Sequence, residues 1–199
     1  MNTTERIVES YFRLCRGCFT YPDVKVLGGN NRQLDLLAFK VDTGDQFHIE
    51  TSVTHELSWR ATWEKLQEKF ERKYFGAPAK REGPNTDYTM GKNYFAEIKK
   101  AYQSVGFSIQ KVQRIWVTWV RPTKQEFEKQ LLMYCRSKRI GKNPIRLLSF
   151  RDELLPDLLS TVGKSNYDDD VLRTLSLLRQ FERQSKRQQE QNVQRVFEI

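Results

Sequence analysis

Residues 33–53 read QLDLLAFKVDTGDQFHIETSV, and this stretch decides the fold. Its first part, residues 34–41, is rich in apolar side chains and predicts a buried strand. Its last part, residues 47–53, alternates apolar and polar side chains with the period of two that is typical of a strand. Residues 42–45 (DTGD), between the two parts, have the composition of a tight turn. The stretch therefore predicts a β-hairpin.

Two carboxylates lie at comparable distances from the predicted turn, Asp35 on the first strand and Glu50 on the second. Cross-strand neighbours are about 5 Å apart, a spacing that lets two acidic side chains share one cation. Asp35 is flanked by Leu34 and Leu36, and a carboxylate in apolar surroundings costs free energy unless it is paired or bound to a metal. Such oxygen ligands suit Mg²⁺, and Mn²⁺ is the alternative. We predict that Asp35 and Glu50 bind a divalent metal; the other interpretation is two strand acids that face water.

The sequence on either side of the hairpin predicts an α/β domain. The predicted elements are a helix over 4–16 capped by Thr4, an extended segment over 19–27, helices over 56–74 and 94–105, a strand over 114–120, a helix over 123–137 capped by Thr123, a strand over 145–150, a short helix over 152–159 and a last helix from Asp168. This order is typical of a central mixed β-sheet flanked by helices. We expect one domain over residues 1–160 and a C-terminal helical extension over residues 161–199.

The charge of the chain favours a polyanionic partner. The formal net charge is +9, and thirteen Lys or Arg residues against three acids lie between Lys92 and Arg146. Such an excess favours nucleic acid through phosphate contacts and counterion release, although many basic proteins bind none. No apolar stretch approaches the length of a membrane span, and the first residues lack the layout of a secretory signal. We expect a cytoplasmic or nucleoid-associated protein that binds DNA, with RNA as the alternative, and no membrane contact.

The acid pair belongs to a wider pattern of residues. This pattern consists of Glu9 in the first helix, RQLDLLA over 32–38 and HIETS over 48–52. It resembles the PD-(D/E)XK nuclease superfamily. Within the superfamily the chain is most similar to the branch of restriction endonucleases and Holliday-junction resolvases. The resemblance implies a restriction-endonuclease-like core in which Asp35 and Glu50 ligate Mg²⁺ and Glu9 completes the metal shell. For Glu9 the alternative is an exposed helix acid.

The sequence departs from the family at one catalytic position. Members usually carry a lysine two residues after the second acid, where it neutralises the attacked phosphate, and this chain has Ser52 there. Relocated lysines are known in the superfamily, including on the following helix. Lys65, Lys69 and Lys73 are spaced four residues apart, so they share one stripe of the predicted helix. Lys69 is the first choice for the missing cation and Lys65 the second; the alternative is a solvated helix face.

Further polar side chains near the acid pair are weaker candidates for contact with nucleic acid. His48 shares the strand face of Glu50 by alternation, and a histidine there can carry a proton or contact phosphate. The full set of these weaker candidates is Gln33, His48, His55, Lys65 and Lys73.

Three functions remain open from the sequence. The first is a metal-dependent nuclease that hydrolyses phosphodiester bonds of DNA. The second is a catalytically degenerate nuclease-fold protein that acts as a DNA-binding or protein-interaction module. The third is a structural partner that forms a homodimer or a larger assembly through its C-terminal helices.

Overall fold

The computed structural model of the chain describes residues 1–29, 31–53, 62–78, 92–122, 125–163 and 165–197. The strands in these residues are β1 (Phe19–Lys25), β2 (Gln33–Lys40), β3 (Asp45–Ser52), β4 (Val112–Thr118) and β5 (Arg146–Ser149). The helices are α1 (Thr3–Leu14), α2 (Trp63–Tyr74), α3 (Phe95–Ser104), α4 (Gln125–Ser137), α5 (Leu155–Thr161) and α6 (Asp170–Phe197). A π-helical turn over Phe150–Leu154 leads into α5.

The strands lie side by side in sequence order in one sheet. β1, β2 and β3 are antiparallel, whereas β4 and β5 run parallel to β3. The predicted hairpin is confirmed as β2 and β3, and Gly44 in its turn has a φ of 70°, which glycine adopts at no steric cost. The predicted α/β class, with a central mixed sheet flanked by helices, is confirmed as well.

Alternate side chains of β3 face opposite sides of the sheet. Phe47 and Ile49 belong to an apolar core that β2 and β3 share with α1, α5 and the start of α6. His48, Glu50 and Ser52 point to the other face, by the period of two along a strand. Helices α2, α3 and α4 cover that second face with two further apolar clusters. The predicted site residues of β3 therefore lie beneath α2 and α3.

The structure identifies the capping residues of α1 and α2, and the cap of α1 differs from the predicted one. Asn2, rather than Thr4, caps α1: its side chain accepts the Glu5 N–H at 3.0 Å, and the Glu5 carboxylate accepts the Asn2 N–H at 2.8 Å. This reciprocal arrangement satisfies two backbone donors at once. The Thr62 hydroxyl caps α2. The earlier part of the predicted helix, from residue 56 to residue 61, and the Thr123 cap lie outside the described residues.

Helix α6 is the observed form of the predicted C-terminal helix. Its first turns pack on the domain, because Leu172 and Leu175 join the core beneath α1. Arg179 fastens it further by donating hydrogen bonds to the carbonyls of Ser160 and Val162. Among the residues that the structure describes, no helix combines the length and the apolar character of a membrane span.

Candidate metal centre and its lysines

Asp35 and Glu50 face each other across the β2–β3 pair. Because Leu36 pairs with Ile49, the next position in the register sets Asp35 opposite Glu50. The Asp35 N–H donates to Glu50 Oε1 at 3.3 Å, and the Thr51 N–H donates to Asp35 Oδ2 at 2.9 Å. Glu50 is fully buried and Asp35 is 6% exposed. The strand backbone therefore holds one oxygen of each carboxylate in place.

The Lys73 ammonium, from α2, occupies the space between the other two oxygens. Its Nζ lies 2.8 Å from Asp35 Oδ1 and 2.5 Å from Glu50 Oε2. The contact with Asp35 is a hydrogen bond, and the contact with Glu50 Oε2 is a close ion pair. Asp35 Oδ1 and Glu50 Oε2 thus converge on a single point that already holds a positive charge. The sequence made Lys73 only a weak candidate for nucleic-acid contact, and the structure instead places it in the acid pair.

Burial sets the charge state of this group. Burial and then repulsion by Glu50 raise the pKa of Asp35 to about 6, against the opposing effect of Lys73. Burial also raises the pKa of Glu50, again opposed by Lys73. Burial alone lowers the pKa of Lys73, but the charges of Glu50 and Asp35 outweigh it, so this pKa is raised overall. The ammonium is therefore the charge that keeps two adjacent buried carboxylates together.

His48 connects Glu50 to α3. Its Nε2 lies 2.7 Å from Glu50 Oε1, and its Nδ1 lies 2.6 Å from the hydroxyl of Tyr102. Burial, followed by the charges of Arg114 and Lys73, lowers the pKa of His48 well below its usual value, so the ring is neutral at pH 7. Since His48 is fully buried and both ring nitrogens are engaged, it has no free atom for a phosphate or a solvent proton. The expectation of direct nucleic-acid contact by His48 is wrong for this structure.

Ser52 lies against Lys69, the lysine that the sequence favours most. Lys69 Nζ donates to Ser52 Oγ at 2.6 Å and lies 5.9 Å from the centroid of the Trp116 ring. Burial, and then the charges of Arg72 and Lys65, lower the pKa of Lys69. Its ammonium therefore reaches the strand position at which PD-(D/E)XK nucleases carry a lysine. Lys65 lies one turn earlier in α2, where it is exposed, and the structure does not bring it to the acid pair.

The donor set fits a divalent cation. Two carboxylate oxygens converge on one point, and the Lys73 ammonium shows that this point accepts positive charge. Within the described ranges, no group of three or more His, Cys, Asp or Glu side chains is placed to hold a metal. Asp35 and Glu50 would be two carboxylate ligands, which is usual for Mg²⁺ sites completed by water and substrate phosphate. Binding at this point requires Lys73 to move away.

Glu9 does not join the pair. Its carboxylate accepts the Thr20 hydroxyl at 2.8 Å. Thr20 pairs with Ala38, which packs in the core beneath α1. Asp35 is an odd number of residues from Ala38 on the same strand, so its side chain points to the opposite face. The expectation that Glu9 completes the metal shell is not met, because α1 covers the other side of the sheet.

The two remaining sequence candidates are placed as follows. Gln33 is exposed at the start of β2, where its Nε2 donates to Asp23 Oδ1 at 3.1 Å. This hydrogen bond turns the Gln33 amide toward β1. His55 lies outside the described residues.

Three residues of this region escaped the sequence analysis. Tyr102 closes the chain of hydrogen bonds from Glu50, and no local pattern marks it, because it lies 54 residues from His48. Arg32 donates to the carbonyls of Arg72 and Ala77, which fastens the C-terminal end of α2 to the start of β2. Arg114 is paired with His48 in the β3–β4 register and is 1% exposed. This arginine therefore adds nothing to the basic surface that its sequence neighbourhood suggests.

Comparison of the chain with protein-family models, with curated proteins and with solved structures finds no match to any of them. The resemblance to the PD-(D/E)XK nucleases therefore depends on the site residues alone.

Proposed function

We propose that the chain is a Mg²⁺-dependent nuclease of the PD-(D/E)XK type, with a restriction-endonuclease-like core, that hydrolyses phosphodiester bonds of DNA. The observation that supports this function best is the convergence of Asp35 Oδ1 and Glu50 Oε2 on one cation position. The α/β fold with its mixed sheet is compatible with such a core. The contact of Lys69 with Ser52 supports the same function, because the Lys69 ammonium supplies the positive charge that this strand position lacks.

Each site residue has a defined task in this proposal. Asp35 and Glu50 would hold Mg²⁺ or Mn²⁺, and the bound ion supplies an activated water and stabilises the charge that develops on the phosphate. Lys69 neutralises the attacked phosphate from its place at Ser52 Oγ. Ser52 orients that ammonium and offers a hydroxyl to phosphate or water. Lys73, once it leaves the carboxylates, provides a second ammonium one helical turn from Lys69.

The helices that cover the site also carry exposed positive charge that suits DNA. Lys65 and Arg72 on α2 and Lys99 and Lys100 on α3 are exposed. Contacts from such side chains to backbone phosphates release counterions, so binding weakens steeply as salt is added. We therefore place the DNA on the side of the sheet that α2 and α3 cover.

The decisive experiment compares Asp35→Asn and Glu50→Gln with the wild-type protein on duplex, junction, flap and single-stranded DNA. The reactions contain Mg²⁺, Mn²⁺ or EDTA. Both variants keep the side-chain shape but remove a charged ligand, so we expect cleavage to disappear while salt-sensitive DNA binding, measured by fluorescence anisotropy, persists. Glu182→Gln, which changes an exposed acid on α6, is the matched control and should cleave normally. Cleavage that survives in Asp35→Asn and Glu50→Gln contradicts the proposal.

A catalytically degenerate module is the second candidate, and the position of Lys73 favours it. An ammonium between the two carboxylates is a permanent substitute for a metal if it never leaves. In that case the wild-type protein binds DNA in a salt-dependent way, binds no Mn²⁺ at the acid pair and cleaves none of the substrates. The same DNA panel, with Mn²⁺ binding followed by calorimetry, separates the two functions.

A further inference from the structure

We infer that His48 and Tyr102 are positioning residues that turn Glu50 into a one-sided metal ligand, with Oε1 bound by the protein and Oε2 presented to the cation. This inference rests on the proposed function, since it concerns the ligand of the proposed metal. The proposed nuclease mechanism gives no role to the buried hydrogen bonds that link Tyr102, His48 and Glu50. Here their role is to fix the orientation of the Glu50 carboxylate.

The series of hydrogen bonds runs from Tyr102 on α3 through His48 on β3 to the Glu50 carboxylate. Tyr102 Oη lies 2.6 Å from His48 Nδ1, and His48 Nε2 lies 2.7 Å from Glu50 Oε1. All three side chains are fully buried. An ionised carboxylate only accepts hydrogen bonds, so Nε2 must carry the proton and donate it. Nδ1 is then the acceptor, and the Tyr102 hydroxyl donates to it.

The result is an uneven division of the two oxygens of Glu50. Oε1 accepts two donors, His48 Nε2–H and the backbone N–H of Asp35. Oε2 is turned away from these donors and faces the Lys73 ammonium at 2.5 Å. Rotation of this carboxylate to offer Oε1 to a cation is unfavourable, because it breaks two buried hydrogen bonds.

The imidazole ring is itself held from two sides. The ring of Tyr74 meets it edge-on with centroids 4.8 Å apart, and the ring of Tyr102 does so at 5.6 Å. Partners of this kind, which fix the orientation of a metal ligand without touching the metal, usually change metal affinity about 10- to 100-fold when they are removed. His48 and Tyr102 therefore bear on metal affinity and not only on packing.

The test measures Mn²⁺ affinity by calorimetry and by electron paramagnetic resonance in the full chain, with no substrate present. His48→Leu removes the donor to Oε1, and we expect Mn²⁺ affinity to fall about 10-fold or more. His48→Gln places an amide N–H close to the former Nε2–H, so it should keep affinity within about threefold of the wild type. Near-UV circular dichroism checks that each variant is folded.

Tyr102→Phe and Tyr74→Phe form a matched pair in case His48→Leu does not fold. Both tyrosines are fully buried and cover the same histidine, but the Tyr74 hydroxyl donates to the Ile115 carbonyl at 2.7 Å, not to His48. Loss of either hydroxyl should lower stability, whereas only Tyr102→Phe should weaken Mn²⁺ binding. In the metal-free wild type, ¹⁵N spectra of His48 should show the proton on Nε2.

The possible results show separately whether the inference or the proposed function fails. A folded His48→Leu variant with wild-type Mn²⁺ affinity overturns the inference alone, as does equal affinity in Tyr102→Phe and Tyr74→Phe or a proton found on Nδ1. A wild-type protein that binds no Mn²⁺ overturns the proposed metal site and this inference with it. A wild-type protein that binds Mn²⁺ but cleaves no DNA overturns the nuclease function, and the affinities of the variants still decide the inference.

Discussion

The two faces of β3 use alternate residues of one strand for opposite purposes. On the α1 side, Phe47 and Ile49 bury only apolar atoms, which stabilises the fold by about 25 cal/mol for each Å² removed from water. On the α2 side, His48 and Glu50 bury polar and charged atoms that need Lys73 and Tyr102 to remain there. Replacing such a group with apolar residues is often neutral or stabilising. Stability alone therefore does not account for the second face, and the following substitutions test this contrast.

The largest loss of stability should come from the apolar face. Ile49→Ala removes a fully buried side chain and leaves a cavity, which should cost about 2–5 kcal/mol of unfolding free energy. Urea denaturation measures this loss. Mn²⁺ affinity of the folded protein should stay at the wild-type value, because the side chain faces away from the acid pair. A change in Mn²⁺ affinity as large as that of a site variant would show that the two faces are not independent.

Lys73→Met should give a smaller loss that metal reverses. In EDTA the variant leaves two buried carboxylates without their counter-charge, which should cost about 1–2 kcal/mol, less than a fully buried pair because Lys73 is partly exposed. Mn²⁺ then meets no competing ammonium, so it should stabilise the variant more than it stabilises the wild type. Thermal unfolding with and without Mn²⁺ measures both effects. Lys65→Met, at an exposed position of the same helix, is the control; equal stabilisation of Lys73→Met and wild type by Mn²⁺ would disprove the competition.

A pH effect of similar size should mark the buried histidine. Because burial and the charges of Arg114 and Lys73 lower the pKa of His48, the unfolded chain takes up a proton below the usual value of 6.5 while the folded chain does not. Stability contributed by the neutral ring is thus complete above pH 6.5 and is lost as the pH falls further, by about 1.4 kcal/mol per pH unit. Asp35, with its raised pKa of about 6, acts in the opposite direction, since folding gains a proton on it as the pH falls.

Burial also raises the pKa of Glu50, which acts in the same direction as Asp35. The comparison of wild type with His48→Gln removes the histidine while Asp35 and Glu50 are present in both proteins. Urea denaturation from pH 7.5 to pH 5 measures the unfolding free energy of both proteins. Below about pH 6.5, and only there, the wild type should lose more unfolding free energy than His48→Gln as the pH falls. Parallel pH profiles for the two proteins would mean that His48 takes up a proton in the folded state.

The smallest effect should come from Glu9. Glu9→Gln keeps an oxygen that can accept the Thr20 hydroxyl, so we expect a change within about 0.5 kcal/mol in stability and none in Mn²⁺ affinity. Calorimetric titration of this variant tests the assignment of Glu9 to the α1 side. Loss of Mn²⁺ binding would return Glu9 to the metal shell, as the family resemblance implies.

The sequence predicted those parts of the site that depend on local pattern. The hairpin and the facing of Asp35 and Glu50 follow from a period of two and a turn between them. The choice among Lys65, Lys69 and Lys73 does not follow, because successive members of that stripe differ by only about 6 Å along the helix axis. Which of them meets the carboxylates depends on how α2 is seated on the sheet.

Long-range contacts account for the other misses. Arg32 helps to seat α2 through carbonyls 40 and 45 residues away, and no local pattern encodes such a contact. The same reason explains Tyr102, whose partner His48 lies on a distant strand. Glu9 was misplaced because a helical pattern shows which face of α1 is apolar but not which face of the sheet it covers.

The separation of the site residues along the chain has a consequence for folding kinetics. The β2–β3 hairpin closes a loop of a few residues, whereas Lys73 reaches Asp35 across 38 residues and Tyr102 reaches His48 across 54. Closing longer loops costs more entropy before any contact repays it, so the hairpin should form first and the lysine and tyrosine should arrive late. Substitutions of Lys73 or Tyr102 should therefore speed unfolding and leave the refolding rate nearly unchanged in stopped-flow experiments. Until α2 and α3 dock, Asp35 and Glu50 should remain hydrated, so we expect their two oxygens to converge on the Lys73 ammonium only late in folding.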